Sequence, residues 1–221
     1  MTYRFQDNLL NTLQYYWDFD AQHACRVERL ACRLFDQLQP LHHMGATERI
    51  WLSFAALLHD IAKSTNPKRH HKAAQQVILE DLDLPLPAHG RLMVALIARY
   101  HRGQLPHPRH EDYRSLDKDA REYVRKCAAL LRLADGLDKG GRGLVAEVFC
   151  RLSARKTHLI VLATQKQSLA KLRRKAPLFE TVFQNRLTAS LEVVSPAGNL
   201  SGPSNPFARI TESVRWPSIY S

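Results

Sequence analysis

Ile50, Trp51, Phe54, Leu57, Leu58 and Ile61 recur at helical spacing and form a wide apolar face, yet His59-Asp60 interrupts its end. An imidazole beside a carboxylate is costly to desolvate unless the two bind something, and a divalent cation suits both groups. Any fold of this chain must therefore bring further ligands or countercharge to this pair.

Other stretches repeat the pattern. A first helix is expected over Tyr3 to Trp17, with Leu9, Leu10, Leu13 and Tyr16 inward. Asp20, a good N-cap, opens a second to about Leu38, whose stripe of Val27, Leu30, Ala31, Leu34, Phe35 and Leu38 extends one turn back to His23. Pro40, His42-His43 and Gly45 end it. Thr47 is the expected cap of the third helix, which carries His59-Asp60 in its last turn and Lys63 just beyond.

Lys68-Arg69-His70-His71-Lys72 opens a fourth helix continuing through Val77, Ile78 and Leu79. Cations oppose the dipole at a helix N-terminus, so this cluster suits an anion or metal-bound phosphate; the alternative is a solvated basic turn. The fifth stripe, Leu92, Met93, Leu96, Ile97 and Tyr100, closes on His101-Arg102-Gly103. His107 and His110 follow in a proline-containing loop and are expected to be exposed. Asp117 caps a sixth helix with Val124, Cys127, Ala128, Leu131 and Ala134 on one face, and Asp135 stands one turn beyond Leu131. A buried carboxylate there needs a cation or several donors.

After Gly140-Gly141 and Gly143 the pattern changes. Val145 to Leu152, His158 to Ala163 and Leu187 to Val194 read as strands, and Gln167 to Lys175 as a basic helix. The expected division is a helical domain over 1–143, a small basic α+β appendage over 144–194, and a Pro-, Gly- and Ser-rich disordered tail over 195–221. The fold class is mainly α, a helical bundle with that appendage.

A length of 221 residues, 45% of them hydrophobic, permits a buried core and excludes a wholly disordered chain. The net charge of +11 favours an anionic partner: a small phosphorylated substrate, with polyphosphate or nucleic acid reached through the basic appendage. Cys25, Cys32, Cys127 and Cys150 show no metal or redox spacing and read as reduced core residues of a cytoplasmic protein. No apolar run approaches the ~20 residues of a membrane span, so no membrane partner is expected. A homodimer through the strands at 144–163 has no specific signal.

His23, His59, Asp60 and Asp135 thus close apolar faces that must share one core, and can meet at one point. Imidazole and carboxylate together suit Mn, Fe, Ni, Co, Zn or Mg, and the absence of thiolates argues against structural zinc. His101 with one of His70 or His71 could hold a second ion, and of these two we take His71. An ion polarises a phosphoryl oxygen and acidifies water; two clamp both oxygens of an in-line displacement. Lys63, Lys72 and Arg102 are placed to neutralise substrate charge, with Asp60 and Lys63 as the expected catalytic residues.

The order His23, His59-Asp60, Asp135 resembles the HD superfamily of metal-dependent phosphohydrolases, in which these four positions bind metal on an all-helical fold. More closely, His23-Ala24-Cys25-Arg26-Val27, Leu57-Leu58-His59-Asp60-Ile61, His70-His71-Lys72, Ala98-Arg99-Tyr100-His101-Arg102 and Leu131-Arg132-Leu133-Ala134-Asp135-Gly136-Leu137-Asp138 look like the C-terminal half of the exopolyphosphatase/guanosine-pentaphosphate phosphatase (Ppx/GppA) family. The likeness spans about residues 8–190. In that family, hydrolysis of polyphosphate or pppGpp belongs to an N-terminal actin-like half that this sequence lacks, so the resemblance implies a free-standing HD module.

The expected function is a metal-dependent phosphohydrolase acting on a nucleotide, a guanosine polyphosphate or polyphosphate. The competing expectation is a non-catalytic module that binds such anions, or RNA, through the basic appendage.

Overall fold

The computed structural model describes residues 19–80 and 86–194. Helix α1 (Ala21–Gln37) starts where the Asp20 carboxylate accepts the His23 N–H at 2.9 Å, and it buries Val27, Leu30 and Leu34. After the one-turn α2 (Gln39–His42), α3 (Ala46–Leu58) begins with Glu48 accepting the Gly45 N–H, so the cap lies two residues before the expected Thr47. Helix α4 (His70–Glu80) packs on α5 (Ala88–Arg99), and the short α6 (Glu111–Ser115) leads to α7 (Lys118–Leu137), capped by Asp117 as expected. Helices α1, α3, α5 and α7 pack on one another around Leu30, Leu34, Leu52, Leu58, Met93, Leu96 and Leu131. Each fully buried Leu contributes about 1.5–3 kcal/mol over an exposed one.

Past Leu137 the chain forms a three-stranded sheet in the order β1 (Val145–Ser153), β2 (Lys156–Ala163), β3 (Arg186–Val193). β1 and β2 pair antiparallel, whereas β2 and β3 are parallel and need the crossover helix α8 (Ala170–Phe183) between them. Val148, Leu159 and Val161 turn one face of the sheet into the same core as the helices. α8 adds Leu172, Ala176, Phe179 and Phe183 to that core and lies along α7. The basic helix is therefore an integral wall of the helical body.

Five expectations shift. α3 stops at Leu58, and His59-Asp60 follows it in tight turns in which Ile61 N–H reaches Leu58 O and Lys63 N–H reaches Asp60 O. α4 starts at His70, with Lys68 and Arg69 in the turn before it. α8 extends to Phe183, well past Lys175, because its apolar stripe continues through Leu178, Phe179 and Phe183. Cys25 is exposed rather than buried, and the His110 ring meets the Tyr100 hydroxyl at 2.8 Å rather than facing solvent alone. The helix expected over Tyr3 to Trp17 and the tail from Ser195 lie outside the described residues.

The α7–α8 contact is tightest at Gly136, where a Cβ would lie 3.0 Å from Leu172 Cα. Backbone cannot yield there as a side chain can. Gly136→Ala, which helix propensity alone would make stabilising by about 1 kcal/mol, is expected to destabilise by about 1–3 kcal/mol in urea unfolding. A stabilised variant would show that the two helices do not pack this closely.

Candidate metal centre

Three histidines reach the centre by one local device. His59, His70 and His101 each stand three residues after a carbonyl oxygen at a helix end or turn, and each Nδ1 meets that oxygen: Ala56 at 2.8 Å, Pro67 at 2.9 Å and Ala98 at 2.7 Å. A carbonyl oxygen only accepts, so Nδ1 carries the hydrogen and, in the neutral ring, the lone pair is on Nε2. His23, in the first turn of α1, is fixed from another direction, its Nδ1 donating to Asp138 Oδ2 at 2.7 Å. Asp138 also accepts from Arg26 Nε at 3.0 Å and from the Gly143 N–H at 2.9 Å.

The four Nε2 atoms converge on Asp60. His23 and His59 lie 3.7 and 3.6 Å from Oδ2; His70 and His101 lie 3.0 and 3.6 Å from Oδ1. Among the described residues, His23, His59 and Asp60 form one group whose ligand atoms are compact enough for a single ion, and Asp60, His70 and His101 form another. His59 is fully buried, and its Nε2 has no hydrogen-bond partner. An acceptor left unpaired at that depth and aimed at a carboxylate is placed where it could ligate a cation.

Burial pulls the His59 imidazole below its ordinary value, against the attraction of Asp60 and Asp135, and takes His101 well below it. Both rings are therefore held in the neutral, ligating form. Against the cost of burial, the Lys63 ammonium, 2.6 Å from Oδ2, helps to hold the Asp60 carboxyl far below the usual carboxylate range.

Asp135 has a different environment. Its Oδ1 is 3.7 Å from His23 Nε2, yet it belongs to neither compact group. Lys171 Nζ donates to Oδ1 at 2.9 Å, and Lys175 Nζ donates to Oδ2 and, at 3.0 Å, to the His101 carbonyl. Against the cost of burial, the Lys175 and Lys171 ammonium groups hold this carboxyl well below its ordinary value.

A cleft of about 590 Å³ opens over the cluster, with Asp60, His70, His101 and Asp135 among its lining and Lys63, Arg102, Arg132, Lys171, Arg174 and Lys175 around them. Arg132 is clamped from below, its Nε donating to Tyr100 O at 2.7 Å and Nη2 to Gly103 O at 3.1 Å. Such a cleft is an electropositive bowl with an acidic floor.

The structure thus brings His23, His59, Asp60 and His101 together and sets Asp135 at their edge. Between His70 and His71, the residue beside Asp60 and His101 is His70. His71 packs under the Gly103 turn, where a glycine Cβ would lie 3.1 Å from its Nε2, and burial with His70, Arg102 and Arg99 nearby presses its imidazole down to about 4. Lys63 donates to Asp60 Oδ2 at 2.6 Å, and Arg102 Nη1 lies 3.3 Å from His70 Nε2. Lys72 is exposed and does not line the cleft. Sequence reasoning missed Asp138, Arg132, Lys171 and Lys175 as parts of the centre. Lys171 and Lys175 did carry a signal, a pair one turn apart flanking Leu172 and Ala176.

Asp138 provides a measurable consequence. Burial opposes its ionisation, but hydrogen bonds from His23, the Gly143 N–H and Arg26 hold its pKa at about 2, below the ordinary 3.8. A depressed carboxyl stabilises the fold above its unfolded pKa and loses that contribution as pH falls through the folded one. Between pH 5 and 2 the wild type is expected to lose about 2 kcal/mol of stability that Asp138→Asn does not lose, measured by chemical unfolding across that range. Parallel acid profiles would remove Asp138 from this role.

Comparison with known proteins gives the chain a family. The Guanosine-5'-triphosphate,3'-diphosphate pyrophosphatase of Aeromonas hydrophila subsp. hydrophila is 35% identical over 97 residues, which cover 42% of this chain and 18% of that protein. The match thus spans less than a fifth of that relative's length. The family model described as Ppx/GppA phosphatase, domain III, matches residues 7–180, including every histidine and aspartate of the cluster. By that match the chain belongs to the Ppx/GppA phosphatase domain III family.

Proposed function

We propose that this chain is a phosphohydrolase of the HD type, dependent on a divalent metal and acting on a small phosphorylated anion. The observation that carries the reading is the set of four imidazoles whose Nδ1 atoms are already committed and whose Nε2 atoms surround one ionised, buried carboxylate. Acceptors facing an acceptor repel unless cations lie between them, and nitrogen with oxygen donors and no thiolate suits Mn, Fe, Co, Ni, Zn or Mg. Family membership supports a phosphatase at the coarse level. The name of the Aeromonas relative adds guanosine polyphosphates as a substrate class to test.

His23 and His59 with Asp60 Oδ2 would hold one ion, and His70 and His101 with Asp60 Oδ1 a second, Asp60 standing between them. Such an ion supplies Lewis-acid polarisation of a phosphoryl oxygen and acidification of water. The rest is the work of this chain's own residues. Asp138 and the three carbonyl oxygens keep each ring in the ligating tautomer. Lys63 neutralises Asp60 from the cleft side, and Arg102 with Lys63 receives the phosphoryl charge that enters the bowl.

A second reading, a binding module without turnover, draws on the two ammonium groups already seated on Asp135. One comparison separates the two. Metal content of the purified protein is measured, with turnover of phosphomonoesters, nucleotides, guanosine polyphosphates and polyphosphate under Mn, Mg or Fe, for wild type and Asp60→Ala. About one or two metal equivalents and a rate at least about a hundredfold above the variant are expected. Anion binding that persists in the variant, with no turnover by either protein, would contradict the enzymatic reading.

A further inference from the structure

Asp135 is over-neutralised. Lys171 and Lys175, one turn apart on α8, both donate to its carboxylate, and among the described residues no other acid shares them. Two ammonium groups on one carboxylate leave a surplus positive charge beside His23, whose Nε2 is 3.7 Å from the same Asp135 oxygen that Lys171 holds. A divalent cation drawn to the His23, His59 and Asp60 donors would meet those ammonium groups as like charges within a half-buried cleft. The cation would also take over their task of neutralising Asp135. Both lysines already line the cleft, with side chains 26% and 16% exposed, so a short rotamer change turns each ammonium from the floor towards the opening.

We propose that Lys171 and Lys175 are an exchangeable counter-ion pair: they sit on Asp135 until a divalent metal displaces them, and then turn to the phosphoryl charge entering the cleft. This inference rests on the metal-dependent reading above and deepens it by naming the residues that couple metal binding to anion binding. Both ammonium groups already converge on a single carboxylate, so the pair can converge on one phosphoryl group in the same way. Arg102 and Arg174, also in the lining, flank the same opening. Metal and anion would therefore bind cooperatively, because each removes the other's competitor.

The test has two arms, neither of which reads turnover. In the first, Mn2+ affinity is measured by chelator competition for wild type, Lys175→Met and Lys171→Met, with thermal melts to show that each variant is folded. Losing a lysine is expected to tighten Mn2+ about tenfold, the reverse of what losing a supporting residue does. Unchanged or weaker Mn2+ binding in both variants overturns the exchange. Failure of the wild type itself to bind Mn2+ overturns the metal reading, and the exchange with it, and is a distinct result.

In the second arm, inorganic phosphate is titrated into metal-free protein. Asp135→Asn, which releases the lysines, is expected to bind it about tenfold more tightly than wild type, and the Asp135→Asn/Lys175→Met double variant to lose that gain. A gain that persists without Lys175 reflects the cleft's general field and overturns its assignment to the pair.

Discussion

Three hydrogen bonds from an imidazole Nδ1 to a backbone carbonyl three residues earlier determine what the interior of this protein can do. Each bond is local, made within one helical turn, and each leaves an Nε2 lone pair aimed inward at His59, His70 or His101. Asp138 does the same for His23 through a contact of high sequence separation. Were any ring to present Nε2–H instead, it would donate directly to Asp60 and the cluster would close on itself as a hydrogen-bonded core. The committed tautomers instead turn four acceptors towards a carboxylate that Lys63 reaches from the cleft, an arrangement that the proposed cations would complete.

The rest of the fold holds these four rings and Asp60 in register. The apolar stripes of α1, α3, α5 and α7 bring the chain segments carrying His23, His59, Asp60, His101 and Asp135 to one end of a shared core. The sheet provides the support that lets α8 cross between β2 and β3 and lie against α7, so that lysines from the last third of the chain reach an aspartate on the sixth expected helix. Tight packing at Gly136 and Leu172 thus matters for the electrostatics of the cleft as well as for stability.

Periodicity alone made most of this legible. His23, His59, His101 and Asp135 were found because each closes an apolar stripe, and a stripe has a calculable face. Periodicity could not choose between His70 and His71, since adjacent residues at a helix start differ by about a quarter turn and only the direction of entry decides which ring faces Asp60. The entering turn placed His70 inward and His71 beneath Gly103. The lysines of α8 escaped notice for another reason: a basic helix reads as a solvated face until its packing partner is known, and that partner, α7, lies more than thirty residues away in sequence. Asp138 stands three residues after Asp135 in the same sequence block, yet only the fold shows that it orients His23.

The central claim, that these rings and Asp60 form a cation site, is tested most directly by an anomalous difference map from crystals soaked with Zn2+ or Co2+. The account predicts a peak about 2.0–2.2 Å from His23 Nε2, His59 Nε2 and an Asp60 oxygen, with a second beside His70 and His101 at higher metal concentration. Full occupancy of metal elsewhere on the chain, with His59 Nε2 still without a partner, would contradict it.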